Sequence, residues 1–412
     1  MSAATATNIR WGPNLTDVFD YALHPTRDGG AGNPLLIWRH TGGGTSGSKA
    51  NLWDGPHYEM NQFLAYILSA SREVHFDVVS MESDQYTFFE AGAPVPRSRR
   101  VMYPQTIASY QRAVRAIRAT MQPLGSDPSR IGLMGASHGA WLTLMSQFMR
   151  ADFAGSAPHA DVRRRYDFRG YDHRPKFMWL WSLAYPDWRK IASASGITFT
   201  GATVSGTSLT TPSNDSFAHY RFSAGDQVVI TSGSATKGTY TVTAKNANND
   251  ALTLATSAGS GTAAGYLSTD QTDLLWSGML LGTKSPGNGS DGLPTYAEWD
   301  AMPASLKAAM SPQYWAEQGQ IGYYPPTLFS SANVTNGVDA IGNGIHPYGN
   351  TYDTGVSGTN IHDWHGAYDL SATLAAKGND SSFYGYTGDV AGWTSQADSR
   401  RVYDWMVARI NA

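Results

Sequence analysis

Gly135-Ala136-Ser137-His138-Gly139 is the stretch of this chain whose residue types and spacing most directly suggest a reaction. It follows Ile131–Gly135, a short apolar run that reads as a strand, and it precedes Ala140–Phe148, which reads as a helix. A serine on a sharp strand-to-helix bend presents its hydroxyl. The flanking glycines let backbone segments approach where a larger side chain would collide. The helix N-terminus adds a favourable field for a developing anion. Ser137 is therefore the candidate nucleophile. A second constellation, Arg39-His40-Thr41-Gly42-Gly43-Gly44, comes directly after the buried-type run Pro34–Arg39. Gly42, Gly43 and Gly44 can aim backbone N–H groups at a tetrahedral oxyanion, with a partner N–H from His138. The side chains of His40 and His138 are expected to orient their loops rather than to titrate.

These residues need a scaffold, and the chain has a pattern that supplies one. Asp17–Leu23, Pro34–Arg39, Val74–Ser80, Ile131–Gly135, Tyr324–Ser331 and Ser382–Tyr386 read as strands. Between them, Ile107, Tyr110, Val114, Ile117 and Met121 recur at helical spacing, and Ala140–Phe148, Thr295–Met310, Ala367–Ala376 and Asp398–Ile410 also read as helices. Ser126–Arg130 reads as a turn. Strand and helix in alternation predict an α/β protein with a mostly parallel central sheet and helices on both faces. Near Ala194 the composition turns to Thr, Ser, Gly, Ala and Asn, and Asp226–Ser232, Gly238–Lys245 and Asp250–Ala255 read as short strands of a small all-β insert. The expected organisation is core over 1–193, insert over 194–268, and core again over 269–412 with a lid-like segment. The insert is expected to serve as a binding module, or equally as a spacer or assembly surface.

On the two glycine motifs, Ser129–Ser137, and Ser311-Pro312 followed by Pro325–Leu328, the chain resembles the α/β-hydrolase superfamily, in its esterase branch with an HGGG-type oxyanion loop, with Thr41 in place of one family glycine. The resemblance covers about residues 10–190 and 270–412. It implies a Ser, acid, His order, with the acid after the strand at Thr327–Ser331 and the histidine after the last strand. Asn360–Gly366 precedes a helix as the family's acid loop does, so Asp363 is the expected acid, with Asp339 and Asp353 as alternatives and a helix cap as its ordinary structural role. After Phe383–Tyr386 the family's loop carries a histidine followed by glycine and an aromatic, and here Gly392 and Trp393 follow Ala391. Alanine cannot take the serine's proton. Three explanations stand: an engineered replacement of histidine, a pseudo-enzyme, or a base relocated to His362 or His365.

What the resemblance implies is a serine esterase acting on carboxylic esters without a cofactor; the Trp and Tyr content and the β insert fit acetyl or aromatic esters on a carbohydrate or polymer as substrates. The alternative is a non-catalytic glycan- or polymer-binding protein on a hydrolase scaffold. His362, Asp363 and His365, even with His346, satisfy no metal-ligand spacing, so no metal is expected. Apolar residues at 41% against 15% charged fit an ordered globular chain. A net charge of −3 excludes the basic footprint of a nucleic-acid binder. Zero cysteines remove disulfides, thiolate metal sites and cysteine nucleophiles together. The 13 Trp and 22 Tyr read as core packing or as sugar platforms. No apolar run is long enough for a membrane span, and Met1–Thr7 lacks the pattern of a signal peptide. A secreted or phage-particle location is favoured over a cytoplasmic one, and nothing in the sequence sets an oligomeric state.

Overall fold

The computed structural model describes residues 5–11, 17–28, 32–40, 49–54, 58–69, 71–82, 89–90, 93–94, 105–149, 168, 170–183, 186–188, 197–212, 227–246, 250–268, 303–319, 321, 323–331, 345–347, 364–385 and 396–412. Among them, nine strands form the main sheet. They are β1 (Ala6–Arg10), β2 (Val18–Ala22), β3 (Asn33–Arg39), β4 (Asp77–Met81), β5 (Ser126–Ala136), β6 (Phe177–Trp181), β7 (Thr327–Ser331), β8 (Ile345–Pro347) and β9 (Ser381–Gly385). Their spatial order is β1-β2-β4-β3-β5-β6-β7-β9-β8. The six strands from β4 to β9 run parallel, and β1, β2 and β8 add antiparallel edges.

The parallel strands are apolar throughout because both faces are covered. In β3, Leu35 and Ile37 join one core cluster while Leu36 and Trp38 join the other, as the two-residue period of a strand requires. The first cluster is closed by three helices, α2 (Gln105–Met121), α3 (His138–Phe148) and α6 (Trp364–Ala376). In α2 the buried positions include Ile107, Tyr110, Val114, Ile117 and Met121, the set at helical spacing. The second cluster is closed by α1 (Tyr58–Ile67) and α7 (Gln396–Ile410), through residues such as Phe63, Ile67, Val402 and Met406. Two short helices, α4 (Ala304–Met310) and α5 (Pro312–Gln318), precede β7. Trp38, Trp141, Trp179 and Trp188 are fully buried, so packing absorbs these aromatics, not a ligand platform.

Two expectations are corrected. Ser126–Arg130 is the opening of β5, not a separate turn. The ladder pairs Pro34 with Asp127 and then Leu35 with Ile131, so residues 128–130 bulge out of an otherwise continuous strand. The Asp127 carboxylate holds the bulge, accepting from Ser129 N at 2.8 Å, Ser129 Oγ at 2.6 Å and Arg130 Nε at 2.9 Å. β4 starts at Asp77 rather than Val74 because the Val74 backbone is bonded elsewhere, its N–H and C=O both to the Tyr403 hydroxyl at 2.7 and 3.0 Å.

Residues 197–268 contain a closed six-stranded antiparallel barrel. Three of its strands, Gln227–Gly233, Gly238–Lys245 and Ala251–Leu254, lie where the sequence predicted strands, and Ile197–Ser205, Ser208–Thr210 and Ser260–Ser268 complete it. It has its own core around Val204, Leu209, Val228, Val242 and Leu252. Residues 189–196 and 269–302, where its junctions are expected, lie outside the described residues. Among the described residues no helix is long and apolar enough to cross a membrane.

Candidate active site

In the parallel sheet, β3 is followed by β4 on one side of it and β5 on the other, so the direction of winding reverses between β3 and β5. A crevice opens at such a switch, outside the carboxyl ends of the strands. Register brings Arg39, at the end of β3, beside Met81 of β4 and Gly135 of β5. His40, Glu82 and Ser137 therefore leave adjacent strands at one edge.

Ser137 sits between β5 and α3 with φ 55° and ψ −123°, a conformation rarely adopted by a residue with a side chain. The bend is held from both sides. Ser137 N–H donates to Trp181 O at the end of β6 (3.0 Å), and Ser137 O accepts from Ala140 and Trp141 N–H (3.0 and 3.2 Å). The two motif glycines are required by contact. A Cβ on Gly135 would lie 2.4 Å from Gly139 O, and a Cβ on Gly139 would lie 2.4 Å from Arg39 O and 2.5 Å from His40 O. The first turn of α3 is thus pressed against both its own strand and the end of β3. The serine is 9% exposed at the N-terminus of an eleven-residue helix.

His138 is buried, and its ring stacks on Trp141 at 5.4 Å and 28°. Burial, reinforced by the charges of Arg39 and His40, drives its pKa well below the usual histidine value. The imidazole is therefore neutral at pH 7. Trp141 in turn donates from Nε1 to Met310 O at 3.1 Å, which ties α3 to α4.

His40 is also buried, and its Nε2 is hydrogen-bonded to Glu82 Oε1. The other carboxylate oxygen of Glu82 accepts the backbone N–H of Lys49 at 3.1 Å. Lys49 Nζ lies 3.0 Å from Asp20 of β2, and Lys49 O accepts from Ser80 Oγ at 2.6 Å. Arg39 Nη1 is 3.8 Å from Glu82. Burial alone would raise the Glu82 pKa. The hydrogen bond and charge of His40, the charge of Arg39 and the Lys49 N–H outweigh it and hold the pKa at about 2. Glu82 is ionised at neutral pH.

The sequence reading singled out His40 and Ser137 but passed over Glu82, Lys49, Asp20 and Arg39. One signal was available: an acidic residue directly after the apolar strand Val78–Met81. Of the other candidates, Gly42, Gly43, Gly44, His362, Asp363, Ala391 and Trp393 lie outside the described residues, as do Asp339 and Asp353. His365 is the second residue of α6, and His346 lies in β8. A Cβ on Gly366 would meet Pro186 Cγ at 2.5 Å, so the first turn of α6 packs against the segment after β6. Because β7 and β9 are parallel to β5, their carboxyl ends lie at the same edge of the sheet as that of β5. Among the described residues no cluster of three or more potential metal ligands occurs.

No protein-family model matches the sequence, and no curated protein matches it. The whole chain is nonetheless similar in structure to solved proteins. One is the tannin acyl hydrolase from Lactobacillus plantarum, with a TM-score of 0.52 and 12% identity over 98% of this chain and 93% of that one. Another is a truncated form of a carbohydrate esterase from gut microbiota, with a TM-score of 0.50 and 12% identity over 100% of this chain and 97% of that one. At this identity the likeness is one of fold. The mostly parallel sheet, the strand-to-helix bend at Ser137 and these neighbours fit an α/β-hydrolase fold.

Proposed function

We propose that this protein has the machinery of a serine hydrolase of carboxylic esters. The observation that carries the reading is the backbone at Ser137. A strained bend, gripped by two glycines that no other residue could replace in place, sits at the switch point of a parallel sheet. Strain of about 1–3 kcal/mol at one residue persists where the surrounding structure over-determines it, which is commonest at functional sites. In the proposed reaction the Ser137 hydroxyl attacks the ester carbonyl. The oxyanion is held by N–H groups of His138 and of the segment after His40, where Gly42, Gly43 and Gly44 stand. A histidine at position 391, oriented by Asp363, would move the protons. No step needs a cofactor. The two fold neighbours are named a carbohydrate esterase and a tannin acyl hydrolase, which supports an acetyl or aromatic ester on a carbohydrate or polymer as substrate.

Ala391 favours a second reading, a scaffold that binds such a polymer and does not cleave it. Loss of a triad base lowers turnover by about 10⁴–10⁶-fold and leaves binding in place. The test compares the wild-type and Ala391→His proteins on p-nitrophenyl acetate, with intact-mass detection of a fluorophosphonate adduct at Ser137. A gain of orders of magnitude in the variant supports the esterase with position 391 as its base. Equal, serine-dependent turnover by both would move the base to His362 or His365. Failure of both proteins to turn over or to label would exclude the ester hydrolase and leave the binding scaffold.

A further inference from the structure

Among the described residues four with a side chain adopt left-handed backbone, and two of them stand side by side in the main sheet. Ser137, at φ 55°, directly follows β5, and Ser182, at φ 46°, directly follows β6. Register pairs Ala136 with Trp181, and Trp181 with Ser330 of β7, so the ends of the three strands are neighbours. One peptide unit carries the ladder a rung further. Its carbonyl, Trp181 O, accepts Ser137 N–H at 3.0 Å, and its amide, Ser182 N–H, donates to Ser330 O at 2.8 Å. Ser330 is fully buried and its hydroxyl accepts from Trp179 Nε1 at 2.8 Å, which fixes the far end of this bridge. Past the bridge the chain turns at Ser182 and enters the core. Leu183 and Trp188 both join the cluster that α3 closes, where Trp188 meets Trp141 edge to face at 6.4 Å. Between them, Pro186 O accepts the Gln313 N–H of α5 at 2.9 Å. These contacts over-determine the Ser182 backbone, the condition under which such strain persists.

We infer that Ser182 is a positioning residue for the nucleophile: its left-handed backbone orients the Trp181–Ser182 peptide, which ties the Ser137 N–H to the end of β7. The inference rests on the ester-hydrolase reading above. It also explains a feature that reading leaves unused, a second strained residue on the strand next to the serine. The physical link is one peptide wide. A peptide is planar, so its carbonyl and amide point opposite ways and turn together. The φ of Ser182 is the torsion that joins this plane to the chain entering the core. A residue that cannot hold φ 46° must rotate the plane, which moves Trp181 O away from Ser137 N–H, or withdraw Leu183 and Trp188 from the core. Glycine takes left-handed backbone freely and asparagine takes it readily, whereas a β-branched residue there is an outlier. Choice of residue at 182 thus separates the backbone conformation from the side-chain hydroxyl.

The experiment uses the full chain in whichever of the wild-type and Ala391→His forms turns over p-nitrophenyl acetate, and adds Ser182→Gly, Ser182→Asn, Ser182→Thr or Ser182→Val. The first two lose the hydroxyl but fit the backbone, and should keep kcat within about twofold of the parent. Ser182→Val should lower kcat by about 10–100-fold with KM little changed, because a misplacement of about 1 Å costs on the order of 10²-fold and a smaller one costs less. Ser182→Thr keeps the hydroxyl on a β-branched residue and should also fall, toward Ser182→Val and not toward the parent; it keeps the comparison if the valine variant does not fold. The rate of fluorophosphonate labelling at Ser137 should fall in step with kcat, since both depend on where the serine stands. Phe168→Val places the same misfit at φ 47° on the chain leading into β6, away from the serine, and should lower the unfolding midpoint without lowering kcat. A folded Ser182→Thr or Ser182→Val protein with kcat within about twofold of its parent, or a loss confined to KM, would overturn this inference and leave the esterase standing. Equal losses in the glycine, asparagine and threonine variants would overturn it too, since the backbone would then not be the deciding part. Absence of turnover in both parent forms would overturn the esterase reading and this inference with it.

Discussion

Replacing Gly139 with alanine tests the architecture of the bend with a single methyl group. Alanine is the better helix former by about 1 kcal/mol, so helix propensity alone predicts a gain. The structure predicts the reverse. The new Cβ would lie 2.4 Å from Arg39 O and 2.5 Å from His40 O, and both are backbone atoms that no rotamer change can move. Bringing the shorter contact from 2.4 to about 3.0 Å, the lowest separation side chains tolerate, requires the first turn of α3 to retreat from β3 by roughly 0.6 Å. Overpacking of this kind costs about 1–3 kcal/mol, and two rigid oxygens place this case toward the upper end. Set against the propensity gain, the net loss should be about 1–2 kcal/mol. Guanidinium unfolding followed by tryptophan fluorescence measures it, with Gly170→Ala as the comparison, since a Cβ there meets nothing within 4 Å. The comparison variant should stay within about 0.5 kcal/mol of wild type. If Gly139→Ala is as stable as Gly170→Ala, the close approach of α3 to β3 is wrong, and with it the reason for the second glycine of the motif.

Ser137→Gly should relieve the strain at φ 55° and raise stability by roughly 1 kcal/mol, after the glycine's own entropic cost, while abolishing any serine adduct. A clear destabilisation in the same unfolding assay would mean that the serine side chain, not its backbone, is the stabilising part. Stability should fall with acid in two windows. Burial lowers the pKa of His173 from 6.5 to about 4, so the unfolded chain takes up that proton first, and the stability present above pH 6.5 declines as pH falls toward 4, by roughly 3 kcal/mol in all. Glu82 has its folded pKa depressed from 4.5 to about 2, so its contribution, present above pH 4.5, is lost as pH falls toward 2. His138 and His24, whose pKa values burial also lowers, add to the upper window, so His173→Gln should reduce its slope and leave the lower one. An unchanged slope between pH 6.5 and 4 would refute the assignment.

Much of the scaffold was legible because its signals are local. The apolar runs of β3 and β6 and the spacing of Ile107, Tyr110, Val114, Ile117 and Met121 each state how a segment is buried, without reference to any other segment. Where reading failed, the deciding partner was distant in sequence. Ser126–Arg130 has the composition of a turn, but pairing with β3 carries the strand through it as a bulge. Val74 has the composition of a strand, but a tyrosine hydroxyl 329 residues away occupies its backbone groups. Three barrel strands rich in Ser, Thr, Gly and Ala lack a strong pattern of their own and gain their place by closing a ring.

The same division runs through the site. The amino-acid sequence alone determined the strand, the glycine-flanked Ser137, the helix after it and the glycine-rich segment after His40, since a sharp bend and a close backbone approach restrict residue type directly. Only the tertiary structure decided that Gly139 faces the carbonyls of Arg39 and His40, and that one carboxylate, Glu82, joins His40 to Lys49. Backbone strain and steric exclusion act within a few bonds and leave a mark on the local sequence. A buried ion pair requires only that opposite charges meet in space, and chain separation places no constraint on which residues supply them.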